Sequence, residues 1–170
     1  YQGKNDWLFL GNSHNDTVAK LKLATTPNEQ KLNEVKESFS KASEAGAKFG
    51  IKTYLIVGPN KSSIYPEYLP EGLTTSDVKY SSFFLNKLRE IPSLTVYDPT
   101  NDLLAAKNKE GLLYWKTDTH WNNKGAFLTF AGFAGFALAA AGVHRRQPAG
   151  VALGSVAVSF VAAPEPVFAR

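Results

Sequence analysis

The sequence predicts an α/β fold with a mostly parallel sheet. Three observations carry this expectation. Apolar runs of strand length alternate with segments of helix length through the first two thirds of the chain, as βαβ units require. The run IKTYLIV, residues 51–57, is β-branched, aromatic and apolar almost without interruption, which suits a strand buried on both faces. Residues 27–48 repeat apolar side chains every three or four positions, the pattern of a helix with one buried stripe.

Taken in order, Trp7, Leu8, Phe9 and Leu10 lie between turn-forming residues and have the profile of a short buried strand. The polar loop GNSHND follows and places Ser13, His14 and Asp16 together; turn chemistry explains such residues as readily as a site does. Thr26 is the expected N-cap of the first long helix, with Pro27 at its first position and Glu29 closing a capping box. Leu32, Val35, Phe39 and Ala42 form its apolar stripe. After the strand at 51–57 comes GPNKSSIYPEYLP, a proline-punctuated loop at the carboxyl end of a parallel strand, where α/β folds form their sites. Asn60, Lys61, Ser62 and Tyr65 are therefore candidates to line a pocket, against the alternative of a rigid connector. A second helix is expected from Ser81 or Ser82 to the stop at Pro92, a strand over 94–98, and a short helix over Leu103, Leu104 and Ala105. Gly111 opens LLYWKT, the strand expected to deliver the segment YWKTDTHWNNKGAF.

That segment carries the strongest chemistry. On an extended backbone Asp118 and His120 point to the same side, close enough for a carboxylate to orient an imidazole, and Asn122, Asn123 and Gly125 supply a turn or helix start. An Asp and a His so placed are two members of a hydrolase or acyl-transferase triad. The competing structural reading has Asp118 capping the helix that begins near Asn122 and His120 as an ordinary side chain.

The 170 residues suffice for one ordinary domain, and a net charge of +4, with lysines and acids interleaved, implies no nucleic-acid partner. Without cysteine there is neither a disulfide framework nor a thiolate metal site. The chain opens at Tyr1 without a methionine or a basic-then-apolar leader and reads as a mature or trimmed product. Beyond Gly125 the composition shifts to alanine, so residues 1–130 are expected to form the domain and residues 131–170 an atypical segment, with the alternative that it is foreign to the fold. Residues 126–143 just reach the length of a membrane span, but their weak hydrophobicity favours a buried core helix. VALGSVAVSFVAAPEPVF has the character of one or two strands.

GKNDWLFLGN, VGPNKSSIYPEYLP, YDPT and YWKTDTHWNNKGA, in that order, resemble the AlgX and AlgJ type of alginate O-acetyltransferases, SGNH-hydrolase-like proteins that acetylate exopolysaccharides. The resemblance implies an SGNH-like, flavodoxin-like three-layer α/β/α fold, no metal or other cofactor, and a periplasmic or exported location. It carries the triad aspartate and histidine over to Asp118 and His120, with acetyl passing through an acetyl-serine to a sugar hydroxyl, or to water. It further implies a polysaccharide substrate and an acetyl donor supplied by a membrane partner protein. The family's nucleophilic serine lies downstream of the D-x-H motif, where Ser155 in LGSV is the candidate; Ser13 is the lesser one, and absence of the nucleophile from this chain is the third alternative.

Two rival classes remain. His14 and Asp16 with His120 would make a two-histidine, one-carboxylate metal face. A non-catalytic carbohydrate-binding or assembly component would instead stack sugars on Trp7, Tyr65, Trp115 and Trp121, with Trp121 and Tyr65 joining Asn60 and Lys61 as substrate-binding candidates.

Overall fold

The computed structural model describes residues 1–142 and the backbone of a strand at 157–162. After a 3-10 turn at Lys4–Asp6 the elements run α1 (Thr17–Leu21), α2 (Glu29–Ala47), β1 (Thr53–Gly58), α3 (Lys61–Ile64), α4 (Tyr80–Arg89), β2 (Leu94–Tyr97), α5 (Thr100–Ala106), α6 (Asn123–Ala140) and β3 (Ala157–Ala162). The strands pair in the order β2-β1-β3, all parallel, with Leu55 opposite Val96 and Ser159. Parallel pairing is what the continuous apolar run of β1 anticipates, since parallel strands are covered on both faces.

Alternate residues of β1 supply the two faces. Leu55 meets Leu88, Ile91 and Leu94, with Val35 and Phe39 of α2 packed against them. Tyr54 and Ile56 meet Tyr97 and Phe133, with Phe136 and Ala137 of α6 alongside. Helices α2 and α4 thus cover one face and α6 the other, giving helix, sheet and helix layers. Burial of side chains such as Leu55 and Ile56, at 2% and 1% exposure, is worth about 1.5–3 kcal/mol each. A further cluster of Trp7, Phe9, Ile64, Tyr65, Leu69, Leu103, Leu113 and Tyr114 joins the segments that follow β1 and β2 to the amino terminus.

Several elements differ from expectation. The run Trp7–Leu10 is no sheet strand: Gln2 and Leu8 form one antiparallel bridge, and Phe9 N–H donates to Tyr1 O at 2.9 Å. Asn5 and Asp6, at φ of 53° and 63°, reverse the chain, so the run folds back on its own beginning. LLYWKT likewise contributes only a bridge between Tyr114 and Trp121. The cap of α2 is Asn28, whose Oδ1 accepts from Gln30 N–H at 2.7 Å, two residues later than the Thr26 box.

The division expected at residue 130 falls inside α6. Alanine and glycine dominate this helix, yet Thr129 and Phe133 are buried along one face while Phe127 and Phe130 stand exposed on the other. Among the described residues no helix is long and apolar enough to cross a membrane.

Candidate active site

The D-x-H segment forms a tight loop closed by the Tyr114–Trp121 bridge and by Trp115 N–H donating to His120 O at 3.3 Å. Its sequel is anchored by Asn122, the N-cap of α6. Asn122 Oδ1 accepts from Gly125 N–H at 3.0 Å, its Nδ2 donates to Leu112 O at 2.7 Å, and its own N–H donates to Leu113 O at 2.9 Å. Gly125 is required by proximity: a Cβ there would lie 2.3 Å from Leu113 O. Gly58, the last residue of β1, plays the matching part for Trp121, whose indole would lie 3.0 Å from an added Cβ.

Asp118 does not cap α6. Its Oδ1 accepts from the backbone N–H of His120 at 2.8 Å and lies 2.6 Å from His120 Nδ1. The expected pairing is therefore made on a bend rather than an extended strand. Both donors favour the anion and hold the Asp118 carboxyl below the ordinary carboxylate range, the backbone N–H contributing most. The pair faces solvent, with the His120 side chain 79% exposed. With the carboxylate at Nδ1, Nε2 makes no hydrogen bond among the described residues, the arrangement a general base needs.

The loop backbone is held from within by Lys61. Its Nζ donates to Trp115 O at 3.0 Å, Lys116 O at 2.9 Å and Asp118 O at 2.6 Å. Lys61 is only 3% exposed, so its amine is committed to main-chain carbonyls rather than offered to a ligand. Desolvation pushes its pKa down, opposed by the Asp118 charge. Two tyrosines complete the frame: Tyr65 OH accepts from Leu113 N–H at 2.9 Å, and Tyr114 OH donates to Pro59 O at 2.5 Å. Burial raises the pKa of both phenols. Tyr65 is a core residue packed on Trp7, and Trp7 is itself fully buried. Trp115 is 54% exposed beside the loop. Trp121 is half-buried against the core.

Asn60 is exposed and, with the buried Ser62, lines a cavity of about 490 Å³ between α2, α4 and the end of β1. Asp118 and His120 are not among its walls. Ser13 is exposed, with its Oγ 3.4 Å from His14 Nδ1. Among the described residues no serine hydroxyl bonds to the His120 ring, and no three His, Asp or Glu side chains converge to hold a metal, so His14, Asp16 and His120 are not gathered. Ser155 lies outside the described residues. The role of Lys61 is what sequence reasoning missed; the signal was a lone lysine in an otherwise apolar and aromatic environment, visible only once the chain is folded.

The model of the SGNH hydrolase-like domain of acetyltransferase AlgX matches residues 1–159. A probable alginate O-acetylase AlgJ from Pseudomonas syringae pv. tomato is 26% identical over 127 residues, covering 73% of this chain and 29% of that protein. The chain thus spans less than a third of this relative. The O-acetyltransferase domain of Pseudomonas putida AlgJ superposes with a TM-score of 0.60 at 18% identity, over 87% of this chain and 50% of the other. Bacillus cereus PatB1 superposes at 0.55 with 19% identity, over 72% of this chain and 40% of the other. The fold is accordingly SGNH-like α/β, and with nearly its whole length matched the chain belongs to the family of SGNH hydrolase-like domains typified by acetyltransferase AlgX.

Proposed function

We propose that this chain supplies the Asp–His half of an O-acetyl transfer centre acting on an exopolysaccharide of the alginate class. The observation that carries the reading is the 2.6 Å contact of Asp118 Oδ1 with His120 Nδ1, on a loop whose backbone is anchored and whose side chains face solvent. In the proposed cycle a serine Oγ attacks the carbonyl of an acetyl ester while His120 Nε2 takes the hydroxyl proton. The tetrahedral adduct collapses, the donor oxygen leaves with that proton, and acetyl-serine remains. A sugar hydroxyl then gives its proton to Nε2, attacks acetyl-serine and regenerates the serine. Asp118 holds the ring and stabilises the imidazolium in both halves.

Ser155 is proposed as the nucleophile, downstream of the D-x-H loop as the family order requires, with Ser13 the lesser candidate. The donor is an acetyl group delivered by a membrane partner, and the setting is periplasmic or exported. Membership of the family and the alginate O-acetylase name of the Pseudomonas syringae relative support the reading of O-acetyl transfer. The test is turnover of p-nitrophenyl acetate. Acetyl release that falls about 10²- to 10⁴-fold in His120→Ala supports the reading, and release equal to that of His120→Ala rejects it. Ser155→Ala and Ser13→Ala, assayed alongside, identify the serine: the correct variant loses acetyl-enzyme formation.

A further inference from the structure

Lys61 begins α3, three residues past β1, and is buried, at 3% exposure. Burying an ammonium is costly unless each N–H finds an acceptor. Here all three do, and all three acceptors belong to one short stretch: the carbonyls of Trp115, Lys116 and Asp118 at 3.0, 2.9 and 2.6 Å. Among the described residues no carboxylate forms an ion pair with it; the charge rests instead on carbonyl dipoles and on the rings of Phe9 and Trp7, 5.1 and 5.4 Å away. Lys116 O is also bonded by Leu8 N–H at 2.8 Å, which ties the same peptide to the amino-terminal arm.

Carbonyls at positions 115, 116 and 118 that converge on one internal cation force the loop to wrap around it. A chain so wrapped exposes its other side, and Asp118 and His120 are the side chains turned outward. We propose that Lys61 is a positioning residue for the Asp118–His120 pair, its ammonium serving as the internal ion around which the loop folds. It acts through the backbone and touches neither substrate nor the reacting atoms. Its consequence for catalysis rests on the acetyl-transfer reading; its consequence for the geometry of the pair does not. When the three carbonyls lose their common donor, the loop relaxes, Asp118 no longer sits against Nδ1, and the neutral ring is free to carry its proton on Nε2, the wrong nitrogen for a base.

The absence of cysteine from the chain permits a clean test. Lys61→Cys is alkylated in denaturant with 2-bromoethylamine, restoring an ammonium at lysine length, or with 1-iodopropane, giving the uncharged analogue of the same shape, and each product is refolded. The neutral tautomer of His120 is then read from its ¹⁵N shifts. The expected result is an Nδ1–H ring in the unaltered and aminoethylated chains and an Nε2–H ring in the propylated chain, with similar far-UV spectra. An Nδ1–H ring in folded propylated protein overturns the proposal. A second measurement needs no variant. Lys61 ammonium protons that exchange slowly and couple to the carbonyl carbons of Trp115, Lys116 and Asp118 are expected, and a freely exchanging, uncoupled ammonium overturns it equally. Acetyl transfer, assayed on the same products, is expected to fall on the order of a hundredfold with the propyl group and to return with the aminoethyl group. A tautomer change without any acetyl transfer in the unaltered chain would reject the acetyl-transfer reading while sustaining the role of Lys61.

Discussion

Two loops of this chain carry nearly the same chemistry and meet different fates. GNSHND offers Ser13, His14 and Asp16; KTDTHW offers Asp118 and His120. In the first, Asn15 and Asp16 adopt φ of 55° and 54°, and among the described residues the His14 ring bonds only to the neighbouring Ser13 hydroxyl, at a long 3.4 Å. In the second, a buried lysine and two buried tyrosines fix the backbone, and the histidine meets a carboxylate at 2.6 Å. Residue types are alike, and support from below is not. A polar loop becomes a candidate site when the core supplies the donors and acceptors that hold its main chain, since positioning and not mere presence makes a base effective.

The contrast can be broken most forcefully at the two histidines. His120→Ala is expected to lower acetyl release about 10²- to 10⁴-fold, whereas His14→Ala leaves it within error; equal losses would erase the distinction between the loops. Next in size is Gly125→Ala. The added methyl group meets Leu113 O, separates α6 from the loop and costs about 1–3 kcal/mol, read as a lower midpoint in urea at unchanged slope. A subtler effect concerns acid. The folded-state pKa of Asp118 lies below the ordinary carboxylate value of 3.8, so the contact with His120 is fully present above that value and is lost only as pH falls through the depressed pKa. Titration of the Asp118 carboxyl carbon by NMR should show the carboxylate persisting below pH 3.8, and titration at or above 3.8 would remove the contact's electrostatic basis. Smallest is the stability change of His14→Ala, expected within about 0.5 kcal/mol because its side chain is exposed.

Much of the layered architecture was legible in the sequence because it rests on local periodicity. The stripe of Leu32, Val35 and Phe39, the unbroken run of β1 and the proline stop after α4 each announce an element within a dozen residues. The pairing of Asp118 with His120 was legible for the same reason, being two residues apart. What escaped was decided by distant partners. Trp7 and Phe9 read as strand because they are apolar, yet the turn at Asn5 and Asp6 sends them into a cluster with Tyr65 and Tyr114. Tyr65 read as a pocket residue and is instead a buried strut. Lys61 read as a pocket residue because its loop follows a parallel strand; the acceptors that claim it lie 54 to 57 residues further along the chain.

Those separations bear on when the site comes into being. The bonds from Pro59, Lys61 and Tyr65 to residues 113–118 span 48 to 57 positions, so no local segment forms them early. Closing such loops costs entropy that is recovered only after both partners have packed, which places these contacts late in assembly. A partly folded chain in which residues 59–65 have not yet met residues 113–118 would lack the frame beneath the D-x-H loop. The geometry of the Asp118–His120 pair is thereby coupled to a long-range closure, and the exposed imidazole of His120 becomes its reporter.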